Sequence, residues 1–324
     1  MLLNIGIIGC GNIASQMARA LKKVKGAELL AVASRSIDKS REFADNWGAK
    51  KYYGSYEELV KDDDVELIYV ATPHSFHYEH ARLCLENNKH VLVEKPFTVN
   101  QKMARELIKI ANEKNLLLQE AMWTRFVPGR KIIEEIIDNN TIGDIKVVEA
   151  DFSLSICGKE RMHNPNLAGG ALLDLGIYAL TIPALFIKEK CTKIESTCIK
   201  YETGVDGTDY IRMEFDNGKM ARLKTSMIQG ENNSGFIYGD KGYIWINNIN
   251  CLLTIRVFDL KGNEIENRDV TFDENGYEYE VRACIKAIEN GKIECEEMTH
   301  NDTLEILEWM DLLREQWNLR YPFE

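Results

Sequence analysis

Two short stretches hold the side chains best suited to chemistry. Val93-Glu94-Lys95-Pro96-Phe97 sets a lysine at the end of an apolar run, just before a proline. Gly169-Gly170-Ala171-Leu172-Leu173-Asp174-Leu175-Gly176-Ile177-Tyr178 sets an acid and a phenol in an otherwise apolar segment. A spacing of four puts Asp174 and Tyr178 on one face of a helix, and polar groups there need partners or a cavity. The chemistry such residues suit is proton transfer to oxygen. Free tyrosine titrates at about 10, and a nearby cation makes it a better acid. The same ammonium steadies negative charge building on a carbonyl oxygen.

A third stretch, Gly9-Cys10-Gly11-Asn12-Ile13-Ala14, follows the β-branched run Leu3–Ile8 and opens a helical pattern. That is the setting of a dinucleotide fingerprint. Gly9 permits the tight turn, Gly11 lets backbone N–H groups approach a pyrophosphate, and Ala14 packs helix on strand. Asn12 and Ile13 begin the helix whose N-terminus faces the anion. The plainer alternative is a glycine-rich turn without a ligand. The next strand ends Ala33-Ser34-Arg35-Ser36, with no carboxylate before Asp38. A hydroxyl and a guanidinium suit a 2′-phosphate, so NADP is expected, with NAD the alternative and Arg35 then a solvated cation.

The elements that must hold these residues follow from periodicity. Apolar runs at 3–8, 29–33, 66–71, 90–93 and 116–119 alternate with helical patterns at 13–24, 39–47, 76–86 and 101–114. Apolar strands joined through helices predict a parallel sheet covered on both faces, a doubly wound α/β arrangement. In open sheets of this kind ligands bind beyond the C-terminal strand ends, where Lys95 stands. Past residue 145 the rhythm changes. Strand-like runs at 146–152, 193–201, 210–215, 220–226, 235–238, 243–246 and 252–260 are separated by turns such as Asp216-Asn217-Gly218-Lys219. Short connections join antiparallel neighbours. Helical segments at 171–186, 277–289 and 303–317 accompany them. The expectation is an N-terminal Rossmann domain, 1–122, and a C-terminal α+β domain, 123–324, with a mostly antiparallel open sheet. Helix 303–317 is free to pack back on the first domain.

Composition removes several classes of function. Lys plus Arg is 40 and Asp plus Glu 51, a net charge of −11. A uniformly acidic chain without a basic patch repels phosphate backbones, so nucleic acid is no partner. The eight cysteines are scattered, with no metal-binding spacing, and read as buried free thiols in a reducing compartment. His74, His77 and His80 recur every third residue, but no matching acids or cysteines accompany them, so no metal is expected. The first nine residues lack a basic leader. The apolar stretch 171–187 is broken by Asp174, Gly176 and Pro183 and reads as a buried helix rather than a membrane span. A cytoplasmic protein is expected.

These motifs, in this order, resemble the glucose–fructose oxidoreductase/inositol 2-dehydrogenase (Gfo/Idh/MocA) superfamily over essentially the whole chain, most of all its dihydrodiol dehydrogenase-like branch. The resemblance rests on the glycine fingerprint, Thr72-Pro73-His74 with His77, Glu94-Lys95-Pro96, Glu120-Ala121-Met122-Trp123-Thr124-Arg125 and Asp174-Leu175-Gly176-Ile177-Tyr178. Asp144 after Gly143, and Met298-Thr299-His300, fit the same branch. It implies a nicotinamide-dependent oxidoreductase for a small sugar, polyol or related carbonyl, acting on CH–OH or C=O groups (EC 1.1.1 or 1.3.1). It implies that Lys95 is catalytic, that Tyr178 is the proton donor or acceptor and that Asp174 lies near substrate. Many members have His where this chain has Tyr178. Trp123 and Arg125 would help to hold the cofactor, and His74 and His77 would line the nicotinamide pocket. His163 sits in a loop, 158–169, that either lids the substrate or is plain surface. A homodimer or homotetramer through the open sheet is implied. The alternatives are an NAD-dependent inositol-type dehydrogenase and a non-catalytic nucleotide sensor.

Overall fold

The computed structural model describes residues 2–230 and 233–324; Met1, which begins the N-terminal stretch read above, lies outside them. The backbone divides into two compact units, Met1–Phe126 with Phe272–Leu304, and Val127–Thr271 with Glu305–Glu324. The division is thus not a single cut in the sequence.

The first unit alternates strands and helices: β1 (Leu3–Ile8), α1 (Asn12–Leu21), β2 (Ala27–Ala33), α2 (Ile37–Trp47), β3 (Lys51–Tyr53), α3 (Tyr56–Val60), β4 (Leu67–Val70), α4 (His77–Glu86), β5 (His90–Glu94), α5 (Gln101–Lys114) and β6 (Leu118–Ala121). The sheet runs β3-β2-β1-β4-β5-β6, every pair parallel. Both faces are covered, so the middle strands are apolar throughout; every residue of β4 is fully buried. Strand order reverses between β1 and β4, which opens a crevice at their C-terminal ends. Ser36, Ser55 and Asn100 cap α2, α3 and α5 by accepting from backbone amides. Helix α1 differs: Gly11 is its N-cap, with no side-chain cap and no acid in the first turn. Its first amides are left for an anion.

The second unit opens with α6 (Pro128–Asp138), β7 (Ile145–Ser153) and the short α7 (Glu160–His163). A π-helical turn, Leu172–Gly176, then leads directly into α8 (Ile177–Phe186). The strands β8 (Cys191–Lys200), β9 (Asp206–Phe215), β10 (Met220–Ser226), β11 (Ser234–Gly239), β12 (Gly242–Asn247), β13 (Thr254–Asp259) and β14 (Glu264–Asp269) follow. They form an eight-stranded sheet with β7, in the order β14-β13-β12-β11-β7-β10-β9-β8. It is antiparallel except for β7 against β10, which run parallel. Helix α9 (Tyr277–Glu289) belongs to the first unit, and α10 (His300–Gln316) follows it.

Helix α8 packs against β7 and β10 and is apolar on all sides, as a helix buried all round must be. A Cβ added at Gly176 would lie 3.2 Å from Thr225 Cγ2 of β10, so the missing side chain lets helix and sheet approach closely. The apolar segment Pro165–Phe186 is long enough to cross a membrane, yet 89% of its apolar window is buried. The other face of the sheet carries a row in register across six strands: Glu195, Arg212, Arg222, Glu149, Phe236 and Trp245.

Candidate active site

In the first unit the expected cofactor residues gather at the C-terminal strand ends. Gly9 follows β1 with φ +94°, and a Cβ there would sit 2.6 Å from the Ala71 carbonyl oxygen just after β4. Only glycine suits both the dihedral and the gap. Nothing lies within 4 Å of a Cβ built on Gly11. Asn12 is exposed and Ile13 half-buried at the uncapped start of α1. Open amides, a glycine cradle and no nearby acid in the turn fit the pyrophosphate of a dinucleotide.

After β2 the Ser34 hydroxyl is taken up by its own turn, donating to the Ser36 carbonyl at 2.7 Å and accepting from Ser40 Oγ at 3.1 Å. Arg35 is exposed beside it. Across from Arg35, Thr72 Oγ1 lies 2.9 Å from His80 Nδ1, and the His80 ring meets Tyr56 edge-on at 4.6 Å. Pro73 is exposed and His74 half-buried, its ring 5.7 Å from that of His77.

His77 has no exposed surface. Its Nδ1 lies 2.7 Å from the Pro96 carbonyl and its Nε2 2.8 Å from the Thr72 carbonyl. The ring therefore fills the gap between the end of β4 and the turn after β5, and in its neutral form it donates to one of the two carbonyls. Burial pulls its pKa down to about 4, although both carbonyls favour the protonated ring.

Lys95 is half-buried directly after β5, before a cis peptide to Pro96. Its backbone N–H donates to Glu94 Oε2 at 3.2 Å, and Tyr69 donates its hydroxyl to Glu94 Oε1. Acids crowd this strand end from within. Glu280 of α9 is fully buried, and neither carboxylate oxygen has a hydrogen-bond partner. Burial, then the charge of Glu94, pushes its pKa well up. Glu120 accepts from the Phe97 amide at 3.0 Å and Thr303 Oγ1 at 2.8 Å, and burial pushes it up to about 7. Trp123 stacks on Tyr277 at 5.0 Å, while Arg125 is buried with Nη1 2.9 Å from Asp302.

In the second unit Tyr178 opens α8, is 7% exposed, and rests its ring 4.9 Å from Phe152 of β7. Asp174 lies in the π turn before it, where the wider coil replaces the ordinary helical spacing expected from sequence. Its Oδ2 is 2.8 Å from Arg161 Nη1, with the Arg161 side chain 43% exposed on α7 and the Asp174 side chain 7%. The loop around them is fastened: the Gly170 amide donates to the Met162 carbonyl at 2.8 Å, and His163 Nδ1 lies 2.8 Å from the Cys157 carbonyl.

Sequence reasoning missed Arg161, Phe152 and Glu280. Arg161 reads locally as one more loop cation, and Phe152 as one more core aromatic. Glu280 carried a weak signal, an acid on the side of α9 otherwise occupied by Tyr277, Val281 and Cys284. Among the described residues no group of three or more His, Cys, Asp or Glu could hold a metal ion. All eight cysteines are free, and only Cys84, Cys251, Cys284 and Cys295 are buried, which corrects the expectation that all would be.

Residues 3–122 match the oxidoreductase family described as an NAD-binding Rossmann fold, and residues 131–245 match the GFO/IDH/MocA C-terminal domain. The trans-1,2-dihydrobenzene-1,2-diol dehydrogenase of Xenopus laevis is 33% identical over 325 residues, 98% of either chain. That of Sus scrofa is 38% identical over 245 residues, 75% of this chain and 73% of the relative. Among solved structures, KijD10, a 3-ketoreductase from Actinomadura kijaniata in complex with NADP and TDP-benzene, superposes with a TM-score of 0.88 at 25% identity, covering 97% of this chain and 98% of that one. With relatives this similar along almost its full length and both family segments in order, the chain belongs to the Gfo/Idh/MocA family of NAD(P)-binding oxidoreductases.

Proposed function

We propose that the protein is an NADP-preferring dehydrogenase or reductase for a small sugar, polyol, or cyclic or dicarbonyl substrate. The observation that carries this reading is the position of Lys95. It leaves the C-terminal end of β5, on the strand-end edge that also bears the Gly9 turn and the open start of α1. The nicotinamide supplies or accepts the hydride when bound.

The chain's own residues do the rest. Tyr178 gives its hydroxyl proton to the carbonyl oxygen in reduction and takes it back in oxidation. Lys95 is its electrostatic partner, favouring the phenolate and the developing alkoxide. Asp174, steadied by Arg161, accepts a hydrogen bond from a substrate hydroxyl. Gly9, Gly11, Asn12 and Ile13 cradle the pyrophosphate. Arg35, on the turn shaped by Ser34, meets the 2′-phosphate. Thr72, Pro73 and His74 border the nucleotide, and His77, Glu94 and Pro96 hold the Lys95 turn in place. Trp123 and Arg125 form the wall behind it. The second unit supplies substrate contacts and a homodimer surface, and the eight free thiols support a reducing, cytoplasmic setting.

The test is NADPH oxidation with a panel of dicarbonyls, deoxyglucosones, anhydro-sugars and inosones. Tyr178→Phe and Lys95→Met should each lower kcat by about 10² or more while NADPH still binds. Full turnover in the Phe variant would remove Tyr178 from the mechanism. Arg35→Ala should weaken NADP more than NAD; equal loss for both would favour an NAD-dependent inositol-type enzyme. Nucleotide binding without turnover on any substrate would favour a sensor.

A further inference from the structure

We propose that Asp206 and Asp209 share one proton in neutral solution, forming an acid–carboxylate pair that fixes the start of the helix bearing Asp174 and Tyr178. Both side chains lie in the first residues of β9, and both are fully buried. The pairing of β8 with β9 slips between Ile199 and Lys200, and in this irregular stretch residues 206–209 are all buried instead of alternating.

Asp206 faces the helix start. Its Oδ2 accepts from the Leu172 amide at 2.5 Å. Gly170 has φ +129°, and a Cβ there would lie 2.0 Å from Asp206 Oδ1, so the glycine is required for the carboxyl to reach the backbone. This end of the loop is also held by Tyr321, whose hydroxyl donates to the Gly169 carbonyl at 3.0 Å.

Three oxygens behind that contact have no hydrogen-bond partner: Asp206 Oδ1 and both oxygens of Asp209. The groups facing them are the Cys198 thiol of β8, opposite Asp209 in register, and the Tyr321 phenol; Lys200, opposite Asp206 in register, is exposed at the slip and makes no ion pair with either acid. The Arg314 guanidinium, over the Tyr321 ring, is engaged by Asp311 and Glu324. Two buried carboxylates in contact without a cation cannot both be ionised. One added proton resolves the deficit. The Asp209 O–H donates to Asp206 Oδ1, and the Cys198 S–H is directed at the remaining Asp209 oxygen. Asp206 keeps the charge because it faces amides at a helix N-terminus. Consistently, burial pushes both acids up, and the charge of Asp206 pushes Asp209 further. Asp206 is therefore a positioning residue acting through Leu172, and Asp209 keeps it in place.

The full chain with ¹³C-carboxyl-labelled aspartate tests this by NMR. One aspartate should remain protonated at pH 7 in the wild type, and its signal should vanish in D209N. A wild type with every aspartate ionised, or a signal that persists in D209N, overturns the proposal. Urea unfolding provides a second measurement. Asp209 has a folded pKa above its unfolded one, so its contribution is complete at acid pH and is lost as pH rises. The unfolding constant of the wild type relative to D209N should grow by about tenfold per pH unit above pH 5 until the folded group ionises; a constant ratio overturns the proposal. The kinetic arm alone rests on the function proposed above: D206N should lower kcat about tenfold and leave NADPH affinity unchanged. Unaltered kcat would overturn the positioning role. An inactive wild type would refute the enzymatic reading while leaving the NMR and urea results to decide the proton.

Discussion

Arg161 shows how a candidate site can depend on a residue that looks ordinary in sequence. Its guanidinium is 43% exposed, yet it pairs at 2.8 Å with an Asp174 carboxylate whose side chain is 7% exposed. The exposed end can relax into water; the buried one cannot, so the pair matters chiefly to Asp174. On the proposed reading Asp174 accepts from a substrate hydroxyl, so loss of its partner changes binding more than the chemical step. Arg161→Gln is expected to raise KM for a hydroxylated substrate about tenfold, the scale of one charge-assisted hydrogen bond, with kcat and NADPH affinity little changed. Steady-state kinetics across the substrate panel decides this, and an unchanged KM would detach Arg161 from the site. Lys95, Asp174 and Tyr178 were conspicuous in the sequence because each is polar in an apolar setting. Arg161 was not, because a cation in a Gly/Asn/Pro-rich loop is what any solvated loop offers.

Between elements the decisive contacts are ties across strand ends, and His77 is the best-defined of them. It sits between the carbonyl after β4 and the Pro96 carbonyl after β5 and donates to one of them when neutral. Burial pulls its pKa to about 4, below the ordinary histidine value of about 6.5. A depressed histidine contributes stability that is present above the unfolded value and lost as pH falls from there toward 4. His77→Gln is expected to lower the Tm at pH 7.5, because a tie is weakened, but to flatten its decline between about pH 6.5 and 4. Parallel acid limbs in thermal scans of the two proteins would show that the ring does not titrate this way. The parallel strands and their helices were readable because burial on both faces demands continuous apolar runs. Five elements escaped. β3 has three residues, α7 four and α3 five, too few for a period to show. β14, Glu-Ile-Glu-Asn-Arg-Asp, is a mostly exposed edge strand with no apolar alternation. Helix α6 opens Pro128-Gly129, which reads as a turn. The glycine is there because a Cβ would lie 2.4 Å from the Leu252 carbonyl oxygen.

On the scale of the whole molecule, the open face of the eight-stranded sheet is the surface without a covering layer in its own unit. Its cross-strand row runs from charge to aromatic. Arg212 pairs with Glu195 and Glu214 at 2.7 Å, Arg222 pairs with Glu149, and Phe236 and Trp245 continue the line, with Arg256 over the Trp245 ring at 5.5 Å. Tyr238 stacks on Phe236 at 5.5 Å, and Phe258 on Tyr243 at 4.9 Å, which widens the aromatic part. Exposed ion pairs add little to folding, so this pattern is better suited to recognition than to stability. A face holding both signs of charge in one row can oppose its own copy about a two-fold axis, as an isologous dimer requires. The chain's net charge of −11 resists self-association, so local complementarity must outweigh it. The proposed homodimer should therefore be sensitive to the sign of the row. R212E/R222E makes its charged part wholly acidic, and like charges facing each other cost several kcal/mol, so dissociation should tighten into the micromolar range only for wild type, with the variant's Kd raised at least about a hundredfold. Sedimentation equilibrium measures both. A wild type that remains monomeric at micromolar concentration, or a variant that still dimerises with unchanged Kd, would show that this face is not the interface.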